Sequence, residues 1–99
     1  MPIYILLSML TSEGATCVAE DPSCLRDTSM DIENLGVKVL DQYATLGQYD
    51  FVHIIEAPDN ETIARVSMEL VSHGHLKPLS LPAISINDFI SRMSLDRRP

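Results

Sequence analysis

The stretch Tyr43-Ala44-Thr45-Leu46-Gly47-Gln48-Tyr49-Asp50-Phe51 decides how the chain is read. One apolar alternating run ends at Gly47 and another begins at Tyr49, the pattern of a β-hairpin. Gly47-Gln48 suits a two-residue turn of type II′, which wants glycine first. Pairing outward from that turn sets Leu46 against Tyr49, Ala44 against Phe51 and Gln42 against His53. Thr45 then faces Asp50, Tyr43 faces Val52 and Asp41 faces Ile54. One face gathers Tyr49, Gln42 and His53; the other gathers Tyr43, Asp41 and Asp50. A one-residue slip would exchange the two sets, because side chains alternate with period two.

Before the hairpin, residues 2–10 are apolar on both faces, which predicts a strand covered on both sides. Thr11 has the chemistry of a helix N-cap, with Glu13 in the first turn. The spacing predicts a short helix over 12–20 with Ala15, Val18 and Ala19 inward. A break follows at Asp21-Pro22, then a second helix over 22–35 with Leu25, Ile32 and Leu35 inward. The acids at 20, 21, 27, 31 and 33, with Arg26, read as a solvated face. Gly36 suits the left-handed position after a helix. The hairpin strands are expected over 37–46 and 49–57.

After the hairpin, Pro58 ends the strand and Asp59 caps a helix. Its apolar positions Ile63, Val66, Leu70 and Val71 recur at helical spacing. Gly74 closes it, and His73 sits where the helix dipole favours a cation. Residues 76–84 hold Pro78 and Pro82, so they read as an edge strand. Ser85 begins a short terminal helix carrying Phe89, Ile90 and Met93. The order strand, helix, strand, strand, helix, strand is the ferredoxin-like βαββαβ sandwich, an α+β fold with a short C-terminal helix. Domain limits of 1–93 follow, with a flexible tail over 94–99 that includes Arg97-Arg98.

Bulk composition narrows the function classes. The chain has 99 residues, enough for one core. Fourteen acids against seven Lys and Arg give a formal charge of −7. An acidic domain with no basic stripe is a poor ligand for nucleic acid, whose phosphates supply most of that affinity. It is equally ill suited to anionic membranes. Cys17 and Cys24 are too few for a disulfide framework, and on one straight helix they would lie about 10 Å apart. Reduced thiols and a cytoplasmic location are expected. Helices cover only one face of such a sheet, and the other is also rich in Tyr, Leu, Ile and Val. Something must cover it, and a second copy of the same sheet is the economical answer: a homodimer, with higher assemblies open.

The chain resembles the GYD domain family, small proteins named for this hairpin. The resemblance runs over residues 1–93. It rests on Tyr4-Ile5-Leu6-Leu7, Thr11 with Glu13-Gly14, Leu35-Gly36, Gln42 through Gly47, Tyr49-Asp50-Phe51-Val52 and Glu56-Ala57-Pro58-Asp59. It implies a ferredoxin-like fold of the dimeric α/β-barrel group. Relatives in that group include ligand-sensing domains and cofactor-free monooxygenases and isomerases, so the resemblance sharpens the fold and leaves activity open. His53, His73, His75 and the Arg-Arg tail depart from the family pattern.

Five residues are candidate ligand contacts: Gln42, Tyr43, Tyr49, Asp50 and His53. His53 lies mid-strand and titrates near neutrality, as a general base or a ligand-orienting donor must. The simpler reading is a buried neutral imidazole bonded to Gln42 or a carbonyl. Asp50 suits a ligand amine, but Asp also ties down backbone donors at turns. Tyr43 and Tyr49 offer a ring and a hydroxyl, or plain packing. His73-Gly74-His75 supplies two of the three or four ligands that zinc needs, so no metal or cofactor is expected. Two function classes remain: a small-molecule-binding or assembly module acting as a homodimer, and a cofactor-independent isomerase or monooxygenase with His53 as base.

Overall fold

The structure is a computed structural model and describes residues 1–96. In chain order the elements are β1 (Ile3–Leu10), α1 (Ser12–Glu20), α2 (Cys24–Glu33), β2 (Lys38–Ala44), β3 (Phe51–Glu56), α3 (Asn60–Ser72), β4 (Leu76–Ala83) and α4 (Ile86–Asp96). The strands form one sheet of order β2-β3-β1-β4, and every neighbouring pair is antiparallel. This is the ferredoxin-like arrangement expected from the sequence. The first crossover is two helices, broken at Asp21-Pro22. β4 lies at an edge, where Pro78 and Pro82 forfeit no inner ladder bond. α4 continues through Asp96, three residues past the expected domain end; the rest of the expected tail, including Arg97 and Arg98, lies outside the described residues.

Local chemistry places the helix starts. Thr11 accepts the Gly14 N–H at 3.0 Å, and Asp59 accepts the Thr62 N–H at 2.8 Å. Each side chain thereby satisfies a donor that the first turn leaves unpaired. Both hydrogen bonds to Asp59, from the Thr62 hydroxyl and backbone, hold its carboxyl below the usual range. Asp21 does not cap a helix beginning at Pro22. It instead accepts the Ser23 hydroxyl and N–H, which lower its pKa, and α2 begins at Cys24.

The sheet has one covered and one open face. On the covered face Tyr4, Leu6, Ile55 and Leu76 meet Ile32 of α2 and Ile63, Val66 and Leu70 of α3. Side-chain hydrogen bonds tie the layers together: Ser29 of α2 donates to Gln42 Oε1 at 2.8 Å, and Ser67 of α3 shares a 2.7 Å bond with Ser80. The open face carries Ile3, Ile5, Leu7, Val52 and Ile54, all half-buried, with Leu79 and Leu81 exposed beside them. β1 is thus apolar on both sides, but only one side is covered within the chain. α4 adds Ile86, Phe89, Ile90 and Met93 to the exposed apolar surface. Among the described residues it packs closely against no other element.

Several inward assignments change. Ala15 and Ala19 are exposed, and the buried residue of α1 is Gly14. The His75 backbone presses against α1 there and leaves room only for glycine, so hydrophobicity is a poor guide to that helix's inner face. Val71 is likewise exposed, while Ile63, Val66 and Leu70 are buried as expected. In β2 the alternation breaks. A register irregularity between Val39 and Asp41 lets Val39 pair with Ile55 while Gln42 pairs with His53. Val39 and Gln42 therefore share a face, contrary to strict period two.

Candidate functional site

β2 ends at Ala44, earlier than expected, and β3 begins at Phe51, later than expected, so the connection is a six-residue loop rather than a two-residue turn. The pairing is nevertheless the one expected: Gln42 with His53, Tyr43 with Val52, Ala44 with Phe51. Two bonds close the loop. The Thr45 N–H donates to the Asp50 carbonyl at 2.8 Å, and the Thr45 hydroxyl donates to the Tyr49 carbonyl at 2.7 Å. Gly47 has φ +122°, a conformation open to glycine and strained for other residues.

Asp50 anchors this loop to β1. Its Oδ2 accepts the Leu10 N–H at 2.8 Å, and its own N–H donates to the Ser8 carbonyl at 2.9 Å. The carboxylate thus extends the β1–β3 ladder past the point where regular pairing stops. That role occupies the side chain in architecture, the simpler of its two sequence readings.

A cleft of about 410 Å³ opens between the start of α2 and the β2–β3 ribbon. Its helical wall is Pro22, Ser23, Leu25 and Arg26. Its strand wall is Gln42, Tyr43, Ala44, Phe51 and His53. Two of the five candidate contacts, Gln42 and His53, come together here; Tyr43 borders the cleft, but its pairing with Val52 sets its side chain on the open face. Tyr49 and Asp50 do not line it. The Gln42 Oε1 is taken by Ser29, which leaves the Gln42 amide N–H groups to point elsewhere.

His53 is 9% exposed, and its Nδ1 is buried without a hydrogen-bond partner. It is therefore buried as the simpler reading held, but bonded neither to Gln42 nor to a carbonyl at that nitrogen. Burial lowers its pKa from 6.5, because the charged imidazolium loses more by leaving water than the neutral ring does. The ring is neutral at pH 7. Ser8, the diagonal neighbour of His53 on the same face, also has a buried hydroxyl without a partner.

Other candidates separate from this cleft. His73 ends α3 with Nδ1 3.9 Å from Asp31 and Nε2 3.8 Å from Glu69. Two carboxylates account for its place, in addition to the helix end. Cys17 and Cys24 are both free. The break at Asp21-Pro22 puts them on different helices. The influence of the Cys17 thiol, with desolvation and the nearby Asp21 and Asp27, pushes Cys24 up to about 11. The straight-helix separation therefore does not apply. The cleft residues that sequence reading does not single out are Pro22, Ser23, Leu25, Arg26, Ala44 and Phe51. Arg26 was assigned to a solvated face, and only the packing of α2 across β2–β3 shows that it borders a concavity.

The chain matches the GYD domain family over residues 4–93. It belongs to that family. The GYD chain is 42% identical over 94 residues to a Thermus thermophilus protein described as a "Glutamine synthetase and cystathionine beta-lyase binding protein". The alignment covers 94% of this chain and 99% of that protein. A crystal structure of another Thermus thermophilus protein shares the fold, with a TM-score of 0.59 at 20% identity. The match covers 86% of the GYD chain and 95% of the solved one.

Proposed function

We propose that this GYD protein is a cytoplasmic binding module, a homodimer through its open sheet face that docks on partner proteins and holds a small molecule in the cleft above His53. The observation that carries the reading is the 42% identical relative, of nearly the same length, described as a binding protein for two enzymes. The physical support is the open face. Ile3, Ile5, Leu7, Val52, Ile54 and Leu81 form an apolar surface too continuous to leave in water. Apposing two such sheets removes that surface from water at roughly 25 cal/mol per Å². Reduced thiols at Cys17 and Cys24 suit the cytoplasm.

Sedimentation equilibrium tests the assembly half: the expected mass is twice 11.0 kDa. Leu7→Asp puts a charge in the centre of the open face and is expected to return a monomer. A monomeric wild-type protein at micromolar concentration refutes the dimer. Titration against purified glutamine synthetase and cystathionine β-lyase, followed by interferometry, tests the partner half. Absence of binding to both removes the support drawn from the relative.

One observation favours a second reading. A neutral imidazole in a cleft is the form a general base requires, as in a cofactor-independent isomerase or monooxygenase. With the His53 Nδ1 buried, however, Nε2 is left as the one nitrogen to serve, and the 42% identical relative is described as a binding protein. Binding without turnover therefore ranks first.

A further inference from the structure

We infer that the cleft between α2 and the β2–β3 ribbon takes a small organic acid: one carboxylate, held at Arg26, on an apolar body that lies between the two walls. The inference rests on the small-molecule half of the reading above and adds the chemical class.

Charge distribution makes the first part of the case. The chain has twice as many acids as bases. Yet none of the cleft residues is acidic, and one is Arg26. Among the described residues Arg26 has no carboxylate within 4.0 Å, whereas His73 finds two. A guanidinium offers a fork of donors matched to a carboxylate, and it gains most where no internal partner competes. The α2 N-terminus does not compete for the same anion. Its first N–H groups are already used, Cys24 on the Asp21 carbonyl, Leu25 on Pro22, and Arg26 and Asp27 on Ser23.

The second part is the shape and polarity of the rest. Pro22, Leu25, Ala44 and Phe51 supply apolar wall, which suits a hydrocarbon or aromatic body. About 410 Å³ is within the range of small-molecule sites, generally ~300–1,000 Å³. His53 points into the cleft by the alternation that pairs it with Gln42, and it is nine-tenths buried with an unpartnered nitrogen. His53 and the amide of Gln42 are the polar points of the strand wall that a ligand can bond. Neither the neutral imidazole nor the amide adds charge. The net positive character of the site therefore comes from Arg26 alone, which favours a monoanion over a dianion.

The test uses phenylacetate and its neutral isostere phenylacetamide as probes of the full chain. Binding is followed by ¹H–¹⁵N correlation spectra, with Ala44, Phe51 and His53 as reporters. Phenylacetate is expected to shift these resonances saturably and to bind about tenfold or more tighter than phenylacetamide. That ratio is the scale for one charge-assisted pair. Arg26→Gln, an exposed substitution, is expected to erase the difference between the two probes. Arg65→Gln, on α3 and outside the cleft, is expected to leave it intact. Equal binding of acid and amide at the cleft overturns the carboxylate inference and spares the small-molecule reading. No shift at the three reporters with either probe at millimolar concentration overturns both.

Discussion

Gly14→Ala sets two well-known effects against each other, and the structure decides the sign. Alanine is the better helix former, worth about 0.8–1.0 kcal/mol over glycine inside a helix. Gly14 lies within α1, so propensity alone makes the substitution stabilising. A Cβ at this position, however, would stand 2.1 Å from the His75 carbonyl oxygen and 2.9 Å from its carbon. An ordinary C···O contact is over 1 Å longer than the first of these. The carbonyl cannot withdraw freely. It accepts the Thr11 N–H at 3.0 Å, and the Thr11 hydroxyl donates to the adjacent Gly74 carbonyl at 2.5 Å. Separation of α1 from the 74–75 segment strains or breaks both bonds. Overpacking costs about 1–3 kcal/mol, and a lost hydrogen bond about 1 kcal/mol. The net effect is a loss of about 1–3 kcal/mol after the propensity gain. At about 4–8 °C per kcal/mol for a domain of this size, Tm is expected to fall by roughly 5–20 °C. Thermal and urea denaturation at fixed protein concentration measure it, with an unchanged urea slope as the check that both states remain comparable. A Tm equal to or above wild type refutes the close approach of α1 to the 74–75 segment.

Two further outcomes are expected. Asp50→Ala leaves the Leu10 N–H without its acceptor and is expected to cost about 1–3 kcal/mol, with Asp50→Asn milder because its carbonyl oxygen still accepts; equal Tm for wild type and Asp50→Ala in a thermal melt argues against the anchor. His53 has a folded-state pKa below its unfolded value of 6.5, so the unfolded chain binds more protons as pH falls through that window. Stability attributable to His53 is therefore intact above pH 6.5 and declines on acidification toward the lowered pKa. His53→Gln is expected to flatten the pH 5–7 dependence of urea midpoints, and parallel wild-type and variant profiles rule out this linkage.

How much was legible beforehand differs from element to element. Thr11, Asp59 and the two prolines of β4 act through their immediate neighbours, so local chemistry revealed them. The hairpin register was also legible, because turn position and apolar alternation constrain the same pairing. The turn itself was not. Thr45 and Asp50 replace a tight two-residue turn with a loop stitched by their own bonds and anchored to β1, a strand forty residues away. Nor was the bulge beside Leu40, whose effect on side-chain direction depends on a partner strand.

The order of elements, the antiparallel pairing, the doubly apolar β1 and the chain's acidic character were all readable from the residues alone. They follow from periodicity, capping and charge, each of which acts over a few residues. Which residues share a cavity is settled only in three dimensions. Arg26 and His53 lie far apart in the chain and have no pattern in common. They meet because α2 crosses the β2–β3 ribbon, and that crossing is set by the packing of Ile32 and the Ser29–Gln42 bond. The same holds for Gly14, whose small size matters only because a backbone carbonyl from the far end of α3 arrives beside it.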